Sequence, residues 1–307
     1  MTDPELQQAR AEKWHLNGRP VRTIEEAREF IESVGFCLMY PMRPMPMVPT
    51  FIGAWVGSEQ GLPTWQHAFA DPRAQEATEL MVRLLREKSA YEANLFDENN
   101  NFLVAGSLFP YFYALVGERN PKLPPKPKPR SEYSPLACDA FEIIRNDGPI
   151  SKSKLQEKLG GDVSLAALDR GLGELWSKLR ITRVDYDSRE GSSWDALYRW
   201  SPDAVGEGVG LSVGVALSAL IAKYLDCVVA AEPAEVEAFL GNIFPRSRIK
   251  EAINALLNAR ELSFIHVGSR SLIQVTPPKA EFISRETQRE PKKAADPRRT
   301  RIAVRPR

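Results

Sequence analysis

A run of prolines cuts this chain in two. "RNPKLPPKPKPRSEYSP", Arg119 to Pro135, holds six prolines interleaved with lysines. Proline lacks the backbone N–H that helices and central strands need, and it restricts the residue before it. The run therefore predicts an extended, stiff spacer over residues 120–133. With 307 residues, the chain has room for two or three small domains around this cut.

Beyond the spacer, one order of elements occurs twice. "SPLACDAFEIIRNDG" repeats Ala137, Phe141 and Ile144 at helical spacing. "GPIS" turns into the short helix "KSKLQEKLG". A third helix, "SLAALDRGLGELWSKLR", carries Leu165, Leu168, Leu172, Leu175 and Leu179. "ITRVDYDSREGSSWDALYRW" then reads as strand, polar turn and aromatic strand. Later, a helix at about 211–225 leads to "PAEVEAFLG", to "PRSRIKEAINALLNAR" with Ile249, Ile253, Leu256 and Leu257, and to two strands around Gly268-Ser269. Helix, helix, helix, hairpin is the order of a winged helix. It is expected at 134–203 and again at 204–277.

Before the spacer, residues 1–18 read as a polar leader. "TIEEAREFIESVG" opens with Thr23 and has Glu26 three residues on, the signature of a capping box, and sets Ala27, Phe30, Ile31 and Val34 on one face. "FCLMYPMRPMPMVPTFIGAWVG" follows, with four prolines and four methionines. An apolar loop this rich must pack on something or bind something. "DPRAQEATELMVRLLREKSAYEANLF" reads as one long helix around Leu80, Leu84 and Leu85, and "SLFPYFYALVG" as an aromatic cluster. The fold class expected is mainly α with small β-hairpins (α+β): tandem winged-helix domains preceded by a helical N-terminal domain at 19–119.

Charge is nearly balanced at +1, so its distribution matters more than its sum. From Arg285 to Arg307 there are nine Lys or Arg against three Asp or Glu. Such a block at 278–307 is expected to be a disordered basic tail that attracts polyanions. Cys37, Cys138 and Cys227 are far apart, without any C-x-x-C pair. This argues against zinc or redox chemistry and for a reducing, cytoplasmic setting. The N-terminus is polar, unlike a signal peptide. The long apolar run around residues 208–231 is broken by Lys223 and Asp226, and is read as a buried helix rather than a membrane span.

A winged helix places its third helix in the DNA major groove, with the second helix and wing on the backbone. In the first unit the candidate contacts are Ser151, Lys152 and Lys154, then Arg170 and Lys178 on the third helix and Arg189 at the wing. Asp169, Glu174 and Glu190 dilute them. The second unit is better supplied. Arg246, Ser247, Arg248 and Lys250 fill the first turn of its third helix, and Arg270 follows the wing turn. Cations there oppose the helix dipole, which a phosphate contact would explain. Trp55 and Trp65, near the Pro/Met loop, are candidates for stacking on a base. His15, His67 and His266 are scattered and form no ligand set; Asp185, Asp187 and Asp195 read as hairpin residues. No metal, cofactor or nucleotide loop is expected.

On the paired stretches "GPISKSKLQEKLG…LDRGLGELWSKLRITRV…YRW" and "FPRSRIKEAINALLNARELSFIHV", the chain resembles the AlkZ/YcaQ-type tandem winged-helix DNA glycosylases, in their divergent, AlkZ-related branch. The likeness covers most of residues 19–277 through loose motifs. It implies a bacterial DNA-repair fold and double-stranded DNA, damaged DNA included, as partner. In that family the segment after the first helix carries Gln-x-Gln or Gln-x-Asp, which holds the catalytic water. Here the matching place reads Phe36-Cys37-Leu38-Met39-Tyr40, without amide or carboxylate. The resemblance thus implies the fold and DNA association but transfers no catalytic residue; Glu59, Gln60 and Gln66 lie downstream. Three functions stay open: DNA binding without the motif, excision of alkylated or crosslinked bases by relocated residues, and a protein-interaction scaffold. Lesion, sequence preference and oligomeric state stay open too.

Overall fold

Helix α2 (Ile24–Val34) is capped as its sequence predicts: Thr23 accepts from the Glu26 N–H, and the Glu26 carboxylate accepts from the Thr23 N–H. Its buried face is Ile24, Ala27, Phe30, Ile31 and Val34. Gly35 ends it at φ 78°, and a Cβ there would come within 2.6 Å of the Lys223 side chain. A left-handed turn and a close approach both call for glycine. The computed structural model describes residues 1–42, 47–64, 67, 70–93, 102–127, 133–187 and 189–277. Residues 1–276 form one unit of an α+β fold. The basic tail, Trp65, Gln66 and parts of the Pro/Met loop and the spacer lie outside the described residues.

The N-terminal region is not only helical. β1 (Phe36–Leu38) follows Gly35 at once and forms an antiparallel sheet in the order β1-β3-β2 with β2 (Ala90–Ala93) and β3 (Phe102–Ala105). Every residue of the three strands is buried. A strand covered on both faces shows a plain apolar run rather than alternation, which is why its period was hidden. The described ends of the apolar loop pack: Met39 and Tyr40 are buried after β1, and Thr50 caps α3 (Phe51–Val56).

The single long helix expected over 71–96 ends early. α4 (Pro72–Arg86) stops, Lys88 takes φ 59°, and the chain turns into β2. Tertiary contact outweighs helix propensity here. Tyr91 stacks on Phe109 with ring centroids 4.1 Å apart and hydrogen-bonds Ser201. The aromatic cluster is α5 (Phe109–Val116).

The stretch read as a polar leader is helix α1 (Asp3–Lys13), with its own capping box at Thr2 and Glu5. Its polarity misleads because its buried side includes an arginine. The Arg10 guanidinium donates to the carbonyls of Val228 and Ala230 at 2.8 and 2.6 Å, and Trp14 Nε1 donates to Cys227 O.

The first repeated unit comprises α6 (Pro135–Asp147), β4 (Ile150–Ser151), α7 (Lys152–Lys158), α8 (Leu165–Trp176), β5 (Ile181–Asp187) and β6 (Gly191–Ala196). Its sheet runs β4-β6-β5, all antiparallel. Ala137, Phe141, Ile144, Leu168, Leu172 and Leu175 lie in a core of its own with Trp176 and Trp194, whereas Leu165 is exposed. The "LYRW" expected in the second strand is instead a helical turn, α9 (Leu197–Trp200).

α10 (Pro202–Gly210) leads to the second unit: α11 (Val213–Val228), α12 (Pro233–Leu240), α13 (Arg246–Asn258), β7 (Leu262–Val267) and β8 (Arg270–Val275). Ala231 adds a bridge to Ile273 on the β8 side. α10 and α11 meet at 112°. Among the described residues, no single helix is long and apolar enough to cross a membrane; the bent pair passes by length and composition only. Ala216, Leu217, Leu220, Ile221, Tyr224 and Leu225 of α11 are buried. This unit shares one continuous core with the N-terminal region. Phe36 of β1 stacks on Phe102, Tyr224 and Phe239 at 5.7, 6.3 and 5.2 Å.

Candidate nucleic-acid interface

In the first unit two of the candidate cations, Lys152 and Lys154, are paired. Ser151 is the N-cap of α7; it is buried, and its hydroxyl accepts from Lys154 N at 3.4 Å. The Lys152 ammonium lies 2.5 Å from Asp169 on α8, and that of Lys154 lies 3.3 Å from Glu190 at the β5–β6 turn. Arg170 is exposed on α8 beside Asp169, and Lys178, past its end, is half-buried. Arg189 is exposed in a turn held by Asp187, whose carboxylate accepts from the N–H groups of Arg189 and Glu190. Those two backbone bonds hold the Asp187 carboxyl below its ordinary pKa. The face formed by α7, α8 and the turn is therefore mixed in charge.

In the second unit Arg246, Ser247, Arg248 and Lys250 are all exposed, and the first turn of α13 has no acidic residue. Arg248 reaches Glu251 at 3.0 Å. Arg246 and Lys250 have no side-chain partner among the described residues. α13 has no side-chain cap; the N–H groups of Arg248 and Ile249 donate to Pro245 O. Arg270 is different: its guanidinium is ion-paired with Asp3 of α1.

Trp55 does not reach solvent. It is 5% exposed, with the Arg22 guanidinium 4.0 Å above its ring, so it cannot stack on a base. The segment expected to stand in the place of the water-holding motif is closed as well. Phe36, Cys37, Leu38, Met39 and Tyr40 are all buried, and burial drives the Cys37 thiol well above its usual pKa. Tyr40 Oη shares a 2.6 Å hydrogen bond with Thr78 Oγ1. Glu59 and Gln60 are exposed. His15 contacts Arg19 O, His67 contacts Thr64, and His266 is exposed. Among the described residues, no group of three His, Cys, Asp or Glu could hold a metal ion.

One charged cluster was not anticipated. Glu92, in β2, is 1% exposed and ion-paired with Arg183 of β5. Both Glu92 oxygens lie 3.4 Å from the Tyr186 hydroxyl. The Arg183 guanidinium sits over the rings of Trp176, Tyr186 and Trp194 at 4.6, 4.7 and 4.8 Å. Burial raises the Glu92 pKa against the opposing pull of Arg183 and Tyr186, and it raises the Tyr186 phenol well above its usual value. Glu92 pairs with Leu103, which pairs with Cys37, so the carboxylate lies in one cross-strand row with the motif segment. The signal was a glutamate inside "AYEA", a run otherwise suited to burial. Tyr186 also walls a cavity of about 600 Å³ between α4 and β5.

No protein-family model matches the chain, and no curated protein does. Among solved structures, the DNA glycosylase AlkZ of Streptomyces sahachiroi matches with a TM-score of 0.55 at 12% identity. The match covers 90% of this chain and 70% of that one. At that identity the likeness establishes shared architecture: this chain has the same fold as that protein.

Proposed function

We propose that this chain is a cytoplasmic DNA-binding protein whose two repeated units are winged helices, built on a glycosylase scaffold without the Gln-x-Gln or Gln-x-Asp motif. The first turn of α13 supports this most: Arg246, Arg248 and Lys250 are exposed together where their charge opposes the helix dipole. Arg248 pairs with Glu251, but no such pair accounts for Arg246 and Lys250, and contact with phosphates would. The likeness in fold to a DNA glycosylase points to the same partner, duplex DNA, damaged DNA included. The test is fluorescence anisotropy with labelled duplex over a salt series. Affinity is expected to fall steeply with salt. No detectable duplex affinity at low salt overturns the reading.

A second reading, excision of alkylated or crosslinked bases, draws on Glu92, a carboxylate on the same sheet as the motif segment. Its enclosure and its pairing with Arg183 weigh against a water-activating role in this state. Strand scission at abasic sites, after incubation with lesion-bearing duplexes, separates the two readings. A scaffold role is favoured only by the mixed charge of the first unit, where Lys152 and Lys154 end on carboxylates.

A further inference from the structure

We infer that the outward strip of α13 reads base edges in the DNA major groove, with the Asn254 amide on an adenine and the Glu251 carboxylate on a cytosine of a neighbouring pair. The inference rests on the DNA-binding reading and deepens it from phosphate contact to sequence preference.

The two sides of α13 differ in chemistry. Ile249, Ile253 and Leu256 are buried, and the helix packs on α11 and α12. Counting about 100° per residue, Ser247, Glu251, Asn254 and Asn258 fall within roughly 60° of one another on the opposite side. All four are exposed. This strip has no large apolar side chain, so it does not suit a groove on a protein partner, which takes apolar anchors at that spacing. Nor is it an ordinary solvated face, where Glu and Lys four residues apart support the helix. Asn254 is the informative residue. Inside a helix asparagine is unfavourable, because its amide competes for backbone groups. Asn254 stands four residues before the last residue of α13, so capping does not account for it. Its amide has no hydrogen-bond partner among the described residues.

The same count sets Lys250 on one side of the strip and Arg248 on the other. A helix about 10–12 Å across fits a major groove about 12 Å wide. Seated there, the strip meets base edges while Lys250 and Arg248 meet the phosphate strands on either side. A carboxylate among these cations fits that placement. Phosphates would repel Glu251, but cytosine N4 can donate to it, and Arg248 holds it at 3.0 Å. An asparagine amide both donates and accepts, which matches adenine N7 and N6. Glu251 and Asn254 are three residues apart, about 4.5 Å along the helix, close to one base step of about 3.4 Å.

The experiment incubates the full-length protein with a randomised duplex library at about 0.15 M salt and sequences the bound fraction. Fluorescence anisotropy then compares the enriched duplex with versions changed at one base pair. The expected result is a site with an A·T pair whose replacement by G·C weakens binding about tenfold. Asn254→Ala is an exposed change to a better helix former, so the variant should fold. It should erase the preference at that one pair and leave the salt slope unchanged. Glu251→Gln should move the preference at the neighbouring pair away from C·G. Salt-dependent binding without sequence preference, or a preference that Asn254→Ala leaves intact, overturns the inference and leaves the DNA-binding reading standing. Absence of duplex affinity at low salt overturns both.

Discussion

In the first repeated unit, Lys152 and Lys154 end on Asp169 and Glu190; in the second, Arg246 and Lys250 end in solvent. The cores differ in the opposite sense. The first unit closes its own core around Phe141 and Trp194, whereas the second shares one core with the N-terminal region through Phe36, Tyr224 and Phe239. One order of elements thus serves two ends. A unit with its own core and with Lys152 and Lys154 ion-paired is suited to act as a support. A unit fused to the main body can present cations on a platform that does not move relative to it.

Core truncation tests that contrast with the largest effect. Phe141→Ala and Phe36→Ala each remove a fully buried ring, and each should cost about 3–5 kcal/mol. Their reach should differ. Hydrogen exchange is expected to show Phe141→Ala loosening residues 135–196 first. Phe36→Ala should loosen the N-terminal sheet together with α11 and α12. If Phe36→Ala leaves α11 protected, the cores are separate after all.

Charge removal comes next. Replacing Arg246, Arg248 and Lys250 together by alanine should lower duplex affinity by on the order of a hundredfold near 0.1 M salt and flatten the salt slope by about 0.9 per lost phosphate contact. The pair Lys152→Ala and Lys154→Ala should change affinity by less than about threefold, because those ammonium groups are already neutralised by carboxylates. Equal losses from both sets would erase the distinction between the units.

How much of this was legible follows from which patterns the sequence carries openly. α2 and its cap, the leucine face of α8 and the tandem order were readable, because amphipathic helices keep their period when one face stays wet. The β1-β3-β2 sheet was not, because its strands are buried on both faces and show no alternation. α1 looked like a solvated leader because Arg10, a buried residue of it, is satisfied by backbone carbonyls more than 200 residues away. The cations were found by type, but their partners were not. Nothing in the sequence says that Arg270 meets Asp3 or that Glu92 meets Arg183.

The Glu92 pair joins the N-terminal sheet to the first unit and should respond to pH. Burial raises the folded-state pKa of Glu92 above its unfolded value, so the native state holds the proton more tightly. The stabilising contribution is then fully present below the unfolded pKa of about 4.3 and is lost as pH rises through the folded value. The Glu92→Gln protein should lack this component. Its thermal midpoint is expected to vary less with pH above about 4.3 than that of the parent chain. A Glu92→Gln profile parallel to the parent's would place the pH dependence elsewhere, for instance at Asp195, whose carboxyl burial also raises.

The smallest effect concerns the β7–β8 hairpin of the second unit. Arg270 was expected to read DNA, yet its guanidinium is paired with Asp3 of α1. Both side chains are substantially exposed, at 40% and 55%, so the pair adds little to stability. Asp3→Asn should therefore change unfolding free energy by less than about 1 kcal/mol. It should also release one cation on the same unit as the α13 cluster. If the β7–β8 hairpin and α13 meet the same duplex, affinity rises by a few-fold at low salt, and the salt slope steepens by up to about 0.9, as for one added phosphate contact. If the slope does not move, the β7–β8 hairpin faces away from the duplex, and Arg270 serves to hold α1 in place.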